Sequence, residues 1–88
     1  NSLIVNGHPI TLTSIEFLTL GVLMKSLNNI VTRNQIIEQV YHNDLDVFDR
    51  VIDGQIKKIR KKIKQHTDVE FIKTVYGLGY KLEGEIDE

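Results

Sequence analysis

Cysteine is absent from the 88 residues, so neither disulfides nor thiolate metal sites contribute, a usage that suits a reducing cytoplasm. No apolar run approaches the roughly 18–20 residues needed to cross a bilayer, and nothing resembles a signal peptide, so no membrane partner is expected. The histidines His8, His42 and His66 are scattered, without Glu-x-x-His or Cys/His ligand spacing, and each reads as a surface or loop residue. No serine or carboxylate pair is placed for catalysis. Gly77-Leu78-Gly79 is no phosphate loop, because it lies in a hairpin rather than opening a helix. No enzyme, metal site or cofactor is therefore expected. Positive net charge is lacking as well: the formal charge is −1, where a nucleic-acid binder is ordinarily basic.

The charge is concentrated rather than missing. Six of the eleven basic residues, Lys57, Lys58, Arg60, Lys61, Lys62 and Lys64, fall within one eight-residue window. Four of the twelve acidic residues occupy the last six positions, Glu83 to Glu88, and Gly84 to Glu88 reads as a frayed acidic tail. Charges more than about 10 Å apart are largely screened at ordinary salt, so local density outweighs the sum. The length suits one domain with a small core. Because the chain starts at Asn1 rather than methionine, it is expected to be a fragment or processed product.

Local signals order the elements. Leu3-Ile4-Val5, Asn6-Gly7 and Ile10-Thr11-Leu12 read as a hairpin over 1–12, since both turn positions tolerate positive φ; Pro9 is acceptable on an edge strand. Thr13-Ser14-Ile15-Glu16 is a capping box opening a helix over 13–27, with Phe17, Leu20, Leu23, Met24 and Leu27 on its apolar face. Thr32-Arg33-Asn34-Gln35 is a second capping box, for a helix over 32–41 buried through Ile36, Ile37, Val40 and Tyr41. After the polar stretch His42 to Asp46, the stripe Phe48, Ile52, Ile56, Ile59 and Ile63 predicts a third helix over 47–65. Two β-rich runs around Tyr76-Gly77-Leu78-Gly79 predict a hairpin over 71–83. The class is α+β: a strand pair, three helices and a second strand pair.

The isoleucine stripe fixes the buried side of the third helix, at about 100° per residue. The opposite side then presents Arg50, Gly54, Lys57, Lys58 and Lys61, with Val51 and Gln55 on a flank. Lysine and arginine neutralise phosphates, and Gln55 and Lys58 can bond base edges. Gly54 costs about 1 kcal/mol relative to alanine inside a helix, which a close approach of DNA or another helix would explain. Asp49, Asp53 and Arg60 read as an internal charge cluster, with Lys57 also within reach of Asp53, and the remaining lysines as unpaired. In the final hairpin, Thr74 and Tyr80 carry hydroxyls suited to phosphate, and Gly77 admits close backbone approach. A lysine face can also be merely solvated, and a Gly-x-Gly hairpin merely a core lid; the pattern tilts towards DNA.

Leu12-Thr13-x-x-Glu16-Phe17 with Leu20, then Val31-Thr32-Arg33, resembles the opening half of an OmpR/PhoB-type effector domain. Asp49-Arg50-Val51-Ile52-Asp53-x-x-Ile56-x-x-Ile59-Arg60-x-Lys62-Ile63 resembles its recognition helix, and Ile72-x-Thr74-Val75-x-Gly77-x-Gly79-Tyr80 its wing. The likeness runs from Leu3 to Leu82. It implies a winged helix-turn-helix serving as the cytoplasmic output domain of a two-component response regulator, with a phosphorylatable receiver domain upstream. It also implies head-to-tail dimers on direct-repeat double-stranded DNA. Carried over by position, Val51, Gln55 and Lys58 would contact bases. Tyr41, Arg50, Lys57 and Thr74 would contact phosphate, with Gly77 and Tyr80 assisting; Lys61, on the same helix side, joins them. The loop His42, Asn43, Asp44, Leu45 and Asp46 corresponds to the segment that contacts RNA polymerase. Two departures stand out: Tyr76 replaces an arginine common at the wing tip, and two strands stand where the family's amino-terminal sheet usually has four.

Two alternatives remain. The same domain can belong to a membrane-anchored one-component regulator. Alternatively, the third helix is a basic amphipathic docking module for a protein groove or membrane surface, its apolar stripe then exposed. With that stripe buried, no apolar seam is expected to remain, and the isolated domain is expected to be a monomer.

Overall fold

The computed structural model describes residues 2–44 and 46–84; Asn1, Leu45 and 85–88 lie outside the described residues, and with them one position of the loop expected to meet polymerase and most of the acidic tail. The chain opens with an antiparallel hairpin of β1 (Ser2–Val5) and β2 (His8–Thr11), Val5 opposite His8. Asn6 and Gly7 make its turn with φ of 50° and 78°, the left-handed pair that Asn-Gly accepts at least cost. Thr13 caps α1 (Ser14–Lys25): its hydroxyl accepts from the Glu16 amide at 3.2 Å, and its own amide donates to Glu16 Oε1 at 2.9 Å. Thr32 and Gln35 make the same reciprocal pair, at 3.1 and 2.8 Å, ahead of α2 (Arg33–Tyr41). Orphan amides at both helix starts are thereby satisfied. The long α3 (Asp49–Lys64) has an acidic residue in its first turn and Lys61, Lys62 and Lys64 in its last, the polarity that its dipole favours.

A further strand, β3 (Ile30–Thr32), precedes α2, beyond the two strand pairs expected from sequence. It pairs antiparallel with β5 (Gly79–Leu82), which also pairs with β4 (Ile72–Val75), giving a sheet of order β3-β5-β4. Three residues are too few to show alternation, and the partner lies far along the chain. Gly79 is what the pairing requires: a Cβ there would sit 2.1 Å from the Val31 carbonyl oxygen.

Ile52, Ile56 and Ile59 are fully buried and Ile63 nearly so, packed in one core with Leu20, Leu23, Val31, Ile36, Val40 and Tyr80. Burial of the stripe holds α3 against α1 and α2 and leaves its opposite side free. Phe48 does not join it; it caps α3 through its backbone and stays exposed. Phe17 and Met24 also face solvent, contrary to the apolar face read for α1. That helix is apolar around its whole circumference, so spacing alone did not reveal that Leu20 and Leu23 point inward. An apolar seam therefore does remain. Ile4, Phe17, Leu18 and Met24 are exposed, and a groove of about 310 Å³ runs between Leu3, Ile4, Met24, Leu27 and Phe71.

Candidate nucleic-acid interface

With the isoleucine side buried, α3 presents Arg50, Lys57, Lys58, Lys61 and Lys64 as exposed residues, with Val51, Gly54 and Gln55 half-buried among them. Among the described residues none of these cations is paired with a carboxylate. Lys62, expected to be unpaired, turns away and has a partner: its ammonium bonds the buried Glu16 carboxylate at 2.5 Å and the Thr11 carbonyl at 3.3 Å. Burial opposes ionisation of Glu16, but the bonds from Lys62 and the Thr13 amide together outweigh it and hold the carboxyl below its ordinary range. Two shallow clefts flank the exposed side of α3. One, of about 550 Å³, runs along Gln55, Lys58 and Lys61 beside the start of α1, and the other, of about 410 Å³, along Lys57, Lys61 and Lys64 beside β4. Beyond its chain neighbours and its own helix backbone, Gly54 has no atom of the described residues within 4 Å of a would-be Cβ, so no neighbouring helix among them explains the glycine.

The charge cluster differs from the one read in sequence. Asp53 bonds neither Lys57 nor Arg60; its Oδ1 accepts from Arg33 Nε, at the start of α2, at 2.8 Å and from the Tyr80 hydroxyl. Asp49 is exposed and outside the cluster. Arg60 instead donates to the Ile72 carbonyl at 3.0 and 3.2 Å and to Thr74 Oγ1 at 2.8 Å. The guanidiniums of Arg33 and Arg60 lie 5.3 and 5.5 Å from the centre of the Tyr80 ring, within cation–π reach. Burial disfavours the Asp53 carboxylate, yet the Tyr80 hydroxyl and Arg33 reverse this and lower its pKa. Burial, then Asp53, raise that of Tyr80. The expectation that Tyr80 faces phosphate does not fit this geometry, for the residue is 4% exposed and its hydroxyl is donated inward. No local spacing announces Arg33, twenty positions from Asp53; the only sequence signal is its place in the Thr-Arg motif.

The other expected contacts are dispersed around this node. Thr74 is half-buried on β4, Gly77 turns the wing with φ +81°, and Tyr76 stands 91% exposed at its tip. Tyr41 is half-buried at the end of α2. Its hydroxyl and Gln55 Oε1 are buried without a partner, a condition that costs roughly 1–3 kcal/mol unless the side chain turns to find one. His42 and Asn43 are successive left-handed residues, φ 54° and 60°, leading into the exposed Asp44 and Asp46.

A helix pair whose second member, α3, bares a cationic side, followed by a hairpin locked to that helix, is a winged helix-turn-helix. The family model described as "Transcriptional regulatory protein, C terminal" matches residues 7–82. The sensory transduction protein RegX3 of Mycolicibacterium smegmatis is 41% identical over 81 residues, which are 91% of this chain and 36% of that protein. The RstA DNA-binding domain of Klebsiella pneumoniae, solved in complex with the RstA box, superposes with TM-score 0.80 at 26% identity, covering 93% of this chain and 82% of that one. The response regulator DrrB of Thermotoga maritima, an OmpR/PhoB homologue, gives 0.76 at 37% identity, over 89% of this chain and 36% of that one. The chain belongs to the family of C-terminal domains of transcriptional regulatory proteins. Within it, this is a winged-helix domain of the OmpR/PhoB response-regulator type, and that family is one of DNA-binding regulators rather than enzymes. It spans about a third of the length of the curated relatives it matches. Among the described residues no helix is long and apolar enough to cross a membrane.

Proposed function

We propose that this domain binds double-stranded DNA sequence-specifically, with α3 in the major groove and the β4–β5 wing on the adjoining backbone or minor groove, and thereby controls transcription. The observation that carries the reading is the row Arg50, Lys57, Lys58 and Lys61, exposed and without a carboxylate partner among the described residues, opposite a buried isoleucine stripe. Such a face repels itself in isolation and gains from a polyanion. Val51, Gln55 and Lys58 read bases. Arg50, Lys57, Lys61, Thr74 and Gly77 contact phosphate, and Tyr41 joins them once its buried hydroxyl, partnerless among the described residues, turns outward. Burial of Ile52, Ile56 and Ile59 weighs against a free amphipathic docking helix, whose stripe would be exposed.

As the output domain of a two-component response regulator, it works in the cytoplasm behind a receiver domain. It pairs head to tail on direct repeats and meets RNA polymerase through the loop from His42 to Asp46. Selection of bound sites from random-sequence duplexes tests the reading. A recovered consensus with two like-oriented half-sites supports it, and failure to enrich any sequence would sink it.

A further inference from the structure

We infer that Asp53, Tyr80 and Arg60 are positioning residues that hold the wing at a fixed reach from α3, so that both elements engage one duplex as a single rigid unit. The inference rests on the DNA-binding reading. Three elements meet at the Asp53 carboxylate: α3, which carries it, α2 through Arg33 at 2.8 Å, and β5 through the Tyr80 hydroxyl. The Tyr80 ring lies beneath two guanidiniums, at 5.3 and 5.5 Å. Arg60 carries the connection to β4, where its fork grips the Ile72 carbonyl and the Thr74 hydroxyl oxygen. Among the described residues, these are the side-chain hydrogen bonds that join α3 to the wing strands.

Position along the helix gives the node its purpose. Asp53 precedes Gly54 on the exposed side, and Arg60 lies between Lys58 and Lys61, so the braces to the wing leave from the stretch proposed to meet DNA. Arg60 also occupies Thr74 Oγ1 as a donor, which frees the hydroxyl hydrogen to point outward to an acceptor such as a phosphate oxygen. When two contacts are rigidly joined, the second forms without further ordering of the protein, and that advantage is lost if the joint swivels. A loosened node leaves the α3 contacts in place and removes the wing's contribution.

The test compares two duplexes derived from a site selected by the wild-type domain. One is full length, and the other ends where footprinting shows α3 protection to stop, leaving nothing under the wing. The readout is the ratio of their affinities, measured well below the thermal midpoint of each protein. The wild type is expected to bind the longer duplex roughly tenfold better, and Tyr80→Phe only about twofold better, with similar affinities for the short duplex. Arg60→Lys, which keeps the charge but loses the fork, is expected to behave alike and serves equally if Tyr80→Phe does not fold. A variant that retains the wild-type ratio, or that weakens both duplexes equally, would overturn the positioning role. A wild-type domain that gains nothing from the extension overturns it too, by showing that the wing is idle. A wild-type domain that selects no site refutes instead the DNA-binding reading beneath it.

Discussion

Glu16 and Asp53 tie the stability of this small domain to pH. Both carboxyls are held below their ordinary values of 4.5 and 3.8, by Lys62 and the Thr13 amide for Glu16 and by Tyr80 and Arg33 for Asp53, against the opposing effect of burial. Lowered folded-state values mean that their stabilisation is complete above the unfolded values and is lost as pH falls through the folded ones. The thermal midpoint should hold steady down to about pH 5 and drop below it. Glu16→Gln should flatten part of that drop, and an unchanged acid profile in that variant would remove Glu16 from the account. Gly79→Ala should destabilise by about 3 kcal/mol or more, because its methyl group meets the Val31 backbone and the β3–β5 pairing has nowhere to move; denaturant unfolding measures this. Lys57→Ala should weaken binding to all duplexes alike, whereas Lys58→Ala should also relax preference at one base position. Equal losses for Lys58→Ala on selected and random DNA would remove the base contact.

At the scale of the element, α3 does two jobs that point in opposite directions, and substitutions separate them. Ile56→Ala removes a fully buried side chain and should cost about 2–5 kcal/mol of stability. Gly54→Ala should do the reverse: with open space around it, the domain should gain up to about 1 kcal/mol from helix propensity while DNA affinity falls. Unaltered affinity would mean that DNA does not approach the helix backbone there. Much of the element order was legible because its signals are local: Asn6-Gly7, the two capping boxes and the isoleucine spacing each act within four residues. What escaped was long-range. Strand β3 exists only through its pairing with β5, and the partners of Asp53 lie on two other elements. The exposed lysine row was legible, since burying one side of a helix determines the other. The inward turn of Tyr80 is not legible in sequence, because a hydroxyl in a wing looks alike whether it faces phosphate or an internal carboxylate.

At the scale of the whole molecule, a net charge of −1 coexists with a cationic ridge, so affinity for DNA should be governed by that ridge and fall steeply with salt. The logarithmic salt slope is about −0.9 per phosphate neutralised, and Lys57→Ala should reduce its magnitude by roughly one contact. A slope indifferent to that substitution would place Lys57 away from the backbone. The apolar seam around Ile4 and Met24 lies apart from the ridge in the fold: β1 and α1 line it, and α3 reaches it only through Ile63, on the side opposite the lysines. The most direct test is titration of the isotopically labelled domain with a selected duplex, following backbone amide resonances. The largest shifts are expected from Arg50 to Lys61 and at Thr74 and Gly77, with Ile4 and Met24 undisturbed. Shifts gathered on the β1 and α1 seam, with Arg50 to Lys61 unmoved, would contradict this assignment.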